Sequence, residues 1–342
     1  MRYPAFLRPG GRIGLIAPSF GCNIEPYRSC FEAAVERLQE RGYRCMEGPN
    51  CRAGLGIGKS NTPEACAQEI HDFFLTDRCD AILSCGGGET MCEDLSFVDF
   101  DAIRRAEPKW FMGYSDNTNL VFPLTVLCDT AAIYGPCAPS FGLQPQDASL
   151  EDALALLEGK KLSMHNYERW EKESLKDEDA PLQGYHLTEP FQLQLINGTD
   201  GKAAFSGRLL GGCLDCLVNL CGTRYDKVRD FNERYAGDGI LWFLEACDLN
   251  PMSIRRALWQ LEEAGWFEKA AGFLIGRPLH YDDELLGMNR LNAVSGILEK
   301  YGVPVVMDLD IGHLPPMMTL ISGAMADAEV NGNSFRIDMR QE

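Results

Sequence analysis

A serine set between an apolar strand and a helix is the first residue that could do chemistry. In Gly113-Tyr114-Ser115-Asp116, residues 109–114 read as the strand and Asn117 through Cys128 as the helix. On such a turn the hydroxyl is lifted clear of the sheet and meets the positive end of the helix dipole. The Asp116 N–H would then face the oxygen of an attacked carbonyl, as half of an oxyanion hole. A plain N-cap at Ser115 or Asp116 fits the same four residues. Ser84-Cys85-Gly86-Gly87-Gly88-Glu89-Thr90 also follows a strand, and its glycines let backbone approach a ligand closely, as a phosphate cradle or a second oxyanion N–H. No Lys-Ser/Thr follows, so it is not a P-loop, and the spacing is not that of a dinucleotide fingerprint. In a parallel sheet the two turns would lie side by side at the carboxyl ends of their strands, where open α/β folds bind ligands.

A nucleophilic serine needs a base, and the chain has five histidines: His71, His165, His186, His280 and His313. His71 lies inside a helical pattern, and His165 and His186 fall in a polar connection. His280 and His313 each follow a buried strand, and position leaves both open. The third member of a triad must orient the imidazole and stabilise its positive charge. Glu245 ends the apolar run Ile240-Leu241-Trp242-Phe243-Leu244. A carboxylate there is either paired with an arginine or functional, because burying it alone is costly. Asp248, its neighbour in sequence, reads as part of the turn before Pro251. Cys213-Leu214-Asp215-Cys216 is a C-x-x-C with no second ligand pair and no nearby histidine, and reads as small buried thiols on one helix face rather than a zinc or redox site.

These residues need a scaffold. Short apolar strands at Arg12–Ala17, Asp80–Ser84, Lys109–Tyr114 and Ala131–Tyr134 alternate with amphipathic stretches, the rhythm of a mostly parallel sheet covered on both faces. A charged stretch containing Glu171-Lys172-Glu173 interrupts it. After that, Gly211-Gly212 leads into a predicted helix through Leu220, strands recur at 239–245, 271–276 and 303–309, and Asn331-Gly332 marks a hairpin. The expected organisation is an α/β chain with a nucleophile domain over 1–158, a connection over 159–190 and a second domain over 191–342.

With 342 residues, the chain can enclose a buried site. A formal net charge of −18 argues against nucleic acid and anionic membrane as partners. The first ten residues read as no signal peptide, and no stretch is apolar enough to span a bilayer. Fourteen cysteines then point to free thiols and the cytosol.

Taken in order, these motifs resemble the LD-carboxypeptidase family of serine peptidases, which includes the microcin C self-immunity proteins. The resemblance runs through Arg12-Ile13-Gly14-Leu15-Ile16-Ala17-Pro18-Ser19, Gly87-Gly88, Gly113-Tyr114-Ser115-Asp116, Gly207–Gly212, Phe243-Leu244-Glu245, Ile254–Leu258, Gly272–Arg277, Gly312-His313 and Thr319–Ala324. It implies Ser115 as nucleophile, Glu245 as the triad carboxylate and His313, rather than His280, as base. Asp116 and Gly88 would lend the oxyanion N–H groups. It also implies a Rossmann-like nucleophile domain plus a smaller α/β C-terminal domain, and a homodimer. Where relatives often read Gly-Gly-Asn-Leu, this chain has Gly211-Gly212-Cys213-Leu214, so ligand contacts there would differ. No spacing suggests a metal or cofactor. The expected substrate is a small peptide, such as murein tetrapeptide, or a microcin-like peptidyl-nucleotide, for which Tyr167, Trp170 and Tyr185 would offer aromatic faces. A serine esterase and a noncatalytic binding protein are the competing readings.

Overall fold

The computed structural model describes residues 1–56 and 58–342. Its first half supplies strands β1 (Arg12–Ile16), β2 (Arg44–Glu47), β3 (Ala81–Ser84), β4 (Trp110–Gly113) and β5 (Ala132–Tyr134). The rest supplies β6 (Ser163–His165), β7 (Arg169–Trp170), β8 (Glu189–Pro190), β9 (Gln194–Ile196), β10 (Lys202–Cys213) and β11 (Ile240–Glu245). Then follow β12 (Ala270–Gly276), β13 (Val305–Leu309), β14 (Leu320–Ser322), β15 (Met325–Asn331) and β16 (Ser334–Arg340).

Among the described residues these form two large sheets, as the α/β expectation required, and the two-stranded pair β7-β8. The first has the order β14-β5-β4-β3-β1-β2, parallel except for β14. Its parallel part is the 2-1-3-4-5 order of a doubly wound, Rossmann-like sheet. Its central strands β3 and β4 are buried throughout, because helices cover both faces. The second sheet runs β6-β16-β15-β10-β11-β12-β13-β9, parallel over β10 to β13 with antiparallel edges.

The longest strand absent from the sequence reading is β10. The sequence suggests no element just before Gly211, yet Lys202–Cys213 is a twelve-residue strand inside the second sheet. Its first half alternates in exposure and its second half is buried throughout, so neither a clean period of two nor a helical period governs it. The helix after it is short, Leu214–Leu220. The hairpin is present, with Asn331 pairing to Ser334 and Gly332-Asn333 as the two turn residues. Within 159–190, β6 pairs with β16 and β7 pairs with β8, so this charged stretch contributes strands of its own.

The two halves share a core. The helix Thr118–Val126, which starts just after Ser115, is buried at every position. A helix apolar all round belongs inside a protein. From it Phe122 stacks on Trp266 of the second half, ring centroids 5.1 Å apart. No helix among the described residues is long and apolar enough to cross a membrane.

Candidate active site

The site lies where the carboxyl ends of β3, β4, β5 and β11 meet. Ser115 directly follows β4 and Tyr114, and takes φ of +63°. A left-handed backbone at a serine is strained by order 1 kcal/mol or more, and such residues gather at active sites. The capping alternative fails on geometry: neither Ser115 nor Asp116 caps the following helix with its side chain. The Asp116 carboxylate is instead committed inward. Its Oδ2 accepts hydrogen bonds from Ser19 Oγ at 2.5 Å and the Met91 N–H at 3.0 Å, and its Oδ1 accepts one from Asn119 at 2.8 Å.

His313 and Glu245 come to Ser115 from the second half. Ser115 Oγ is 2.8 Å from His313 Nε2, and His313 Nδ1 is 2.8 Å from Glu245 Oε2. With Nδ1 protonated toward the carboxylate, Nε2 is free to accept the serine proton. Glu245 is buried, and its partners are His313 and Tyr134 rather than an arginine. Burial works to lower the His313 pKa, but the charge of Glu245 and hydrogen bonding at Cys247 and Glu245 outweigh it, holding His313 well above its ordinary value.

The remaining histidines stand elsewhere. His280 is exposed, with Asp283 3.5 Å away. His71 accepts a hydrogen bond from the Asp99 N–H. His165 lies in β6, and the His186 backbone N–H donates to Glu171.

The loop that carries His313 is held by a buried ion pair. The Arg277 guanidinium pairs with Asp310 and donates to the carbonyls of Asp308 (2.9 Å) and Leu314 (3.5 Å). Asp310 also accepts from the Tyr167 N–H at 2.8 Å.

The glycine turn after β3 faces Ser115. A Cβ at position 87 would stand 3.0 Å from Ser115 Oγ, so glycine there keeps the space beside the hydroxyl open. The Gly87 carbonyl accepts from the Phe20 N–H at 2.9 Å. Across a trans peptide, the Gly88 N–H therefore points away from Phe20. Asn117, which sequence reasoning passed over, ties the two turns by donating to the carbonyls of Gly86 (2.7 Å) and Tyr114 (3.0 Å). Tyr134 was also passed over. The only available signal was its place at the end of a strand.

Beside His313 opens a cavity of about 380 Å³ lined by Tyr27, Tyr114, Lys176, Tyr185 and Met317, among others. Of the three aromatic residues singled out in the sequence, only Tyr185 lines it. Trp170 packs against Arg277 and Tyr281, and the Tyr167 hydroxyl donates to Asp152 at 3.0 Å. Cys213 and Cys216 are buried near the Ser115 turn, with Cys216 Sγ 3.7 Å from the Ser115 carbonyl oxygen. Cys213 ends β10 and Cys216 lies in the following helix, so the two thiols do not share one helix face. Among the described residues, no three His, Cys, Asp or Glu side chains converge in a metal-binding arrangement.

Comparison with known proteins identifies the family. Residues 13–135 match the model of the LD-carboxypeptidase N-terminal domain, and residues 206–328 that of the LD-carboxypeptidase C-terminal domain. The microcin C7 self-immunity protein MccF of Escherichia coli is 26% identical over 338 residues, 97% of this chain and 94% of that protein. A probable murein peptide carboxypeptidase of Bacillus subtilis is 27% identical, over 94% of this chain and 90% of its own length. Among solved structures, MccF in complex with aspartyl sulfamoyl adenosine superposes with a TM-score of 0.83 at 25% identity, covering 99% of this chain and 98% of that one. An MccF-like protein from Bacillus anthracis gives the same TM-score, 0.83, at 22% identity, over 99% of this chain and all of its own.

Proposed function

The chain belongs to the LD-carboxypeptidase family of serine peptidases, and from that premise we propose that Ser115, His313 and Glu245 are its catalytic triad. The observation that carries this reading is the unbroken chain of two 2.8 Å hydrogen bonds joining the three side chains.

In the proposed reaction Ser115 Oγ bonds to the scissile carbonyl carbon while His313 Nε2 takes the hydroxyl proton. The electron pair of the carbonyl moves onto its oxygen, which the N–H groups of Asp116 and Gly88 stabilise. As the carbonyl re-forms, the carbon–nitrogen bond breaks and His313 returns the proton to the leaving amine. A water then attacks the acyl-serine by the same steps and frees the acid. Glu245 keeps the imidazole oriented and stabilises its transient positive charge. No step calls for a metal or dissolved cofactor.

The proposed substrate is a small peptide cut near its carboxyl terminus, or a peptidyl-nucleotide. The names of the relatives support both: murein peptide carboxypeptidase for the first, MccF with aspartyl sulfamoyl adenosine for the second. A cavity of about 380 Å³ beside His313 is of a size to hold either. We further propose a cytosolic homodimer. Fourteen unpaired thiols suit a reducing compartment.

Hydrolysis of muropeptides, a peptidyl-sulfamoyl-adenosine series and matched esters by wild type and Ser115→Ala tests the reading. Amide cleavage lost in the variant supports it. Cleavage of esters alone would make the chain an esterase, and binding without turnover a binding protein. Light scattering on the purified chain measures the dimer.

A further inference from the structure

Tyr134 has so far been given no part in the chemistry. We infer that it is a positioning residue, which closes the hydrogen-bonded chain of Ser115, His313 and Glu245 into a ring. The inference rests on the triad reading above.

The ring can be followed atom by atom. Tyr134 Oη donates to Glu245 Oε1 at 2.5 Å and accepts from the Ser115 N–H at 3.2 Å. Glu245 Oε2 meets His313 Nδ1, and His313 Nε2 meets Ser115 Oγ, both at 2.8 Å. A phenol has one proton to give. Burial and the Glu245 charge hold the Tyr134 hydroxyl far above its ordinary pKa, so that proton stays and serves the carboxylate. The same oxygen takes up a backbone N–H that the left-handed turn at Ser115 has turned away from regular structure.

The ring cannot easily move. Tyr134 is fully buried, pairs with Gly113 of β4 on one side and Leu320 of β14 on the other, and packs on Phe243 at 5.3 Å. One fixed atom therefore sets two things, the nucleophile's backbone and the carboxylate's rotation. A carboxylate deprived of a donor becomes more basic and binds the proton on His313 more tightly. Other ionisable groups around this pair include Cys247 after β11, Cys213 at the end of β10, Cys216 in the helix after it, Tyr114 after β4 and Glu89 after β3. A substitution at 134 leaves all five in place.

Inactivation by a fluorophosphonate, followed against pH, reads the free enzyme without a known substrate. Tyr134→Phe, folded by thermal unfolding, should be inactivated about tenfold more slowly on the plateau, with the acid limb moved to higher pH. Fluorotyrosine at 134, a stronger donor of nearly the same shape, should move that limb the other way. Added to Glu245→Gln, Tyr134→Phe should cost less than it does alone, because part of its effect runs through that carboxylate. Wild-type rate and limb in Tyr134→Phe, an unmoved limb with fluorotyrosine, or a double variant slowed by the full product of the singles would each overturn the inference. Ser115→Ala labelled at the wild-type rate would overturn the triad reading instead.

Discussion

Gly312 stands so close to Glu245 that a Cβ at position 312 would lie 2.6 Å from Glu245 Oε2, the oxygen that meets His313. The φ of Gly312 is +104°, a conformation side chains rarely adopt. The residue before the proposed base is thus fitted against the carboxylate hydrogen-bonded to it.

Gly312→Ala should therefore lower kcat at least tenfold, since small displacements of catalytic groups are expensive. It should also destabilise the fold by about 1–3 kcal/mol through backbone strain. Steady-state kinetics and urea unfolding on the same preparation check both. Near wild-type turnover would mean that Glu245 tolerates displacement.

Ser115→Ala should abolish turnover while leaving stability nearly intact, because the hydroxyl reacts rather than packs. His313→Ala should be comparably damaging, and the double variant hardly worse than either. Glu245→Gln should lower kcat with substrate affinity mostly kept. His280→Ala should be mild, its side chain being exposed and paired only with Asp283. If His280→Ala were inactive and His313→Ala active, the assignment would be wrong.

The pH dependence has two opposite signs. Catalysis needs neutral imidazole, so activity should rise with pH through an acid limb set above the ordinary histidine value of 6.5. Folding runs the other way. A histidine whose pKa is raised in the folded state contributes stability below 6.5, and that contribution is lost as pH climbs through the raised value. Rate and unfolding profiles over one pH series should cross. An acid limb below 6.5 would show that Glu245 does not govern His313.

Arg277→Met should destabilise by about 3–5 kcal/mol, because it leaves the carboxylate of Asp310 buried and unpaired. Asp310→Asn in that background should recover part of the loss by removing the stranded charge. Chemical unfolding of the three proteins decides. A loss below 1 kcal/mol would mean that water reaches Asp310.

Prolonged dialysis against a strong chelator should leave the rate unchanged. Loss of activity restored by zinc alone would return attention to Cys213 and Cys216.

Much of this was legible in the sequence, for local reasons. Ser115 and Glu245 end short apolar runs, and buried parallel strands announce their carboxyl ends by where hydrophobicity stops. His313 was harder. His280 has the same local signature, and what separates them is a tertiary contact across 198 residues between His313 and Ser115. Tyr134 and Asn117 escaped notice because a buried tyrosine at a strand end and a polar residue at a helix start are ordinary; their roles exist only once two turns are neighbours. β10 escaped because it is half exposed and half enclosed, and obeys no single period.

The antiparallel strand β14 closes the β5 edge of the first sheet, yet it lies nearly two hundred residues further along the chain. As the polypeptide leaves the ribosome, the first half can assemble β1 to β5 long before β14 has been made. During that interval the outer rim of β5 offers unpaired N–H and C=O groups to any extended segment nearby. Leu320 pairs with Tyr134 itself, so the last act of sealing that rim also fixes the tyrosine on which Glu245 rests. A nascent chain is thus kept from presenting the finished form of the proposed site until β14 has been synthesised.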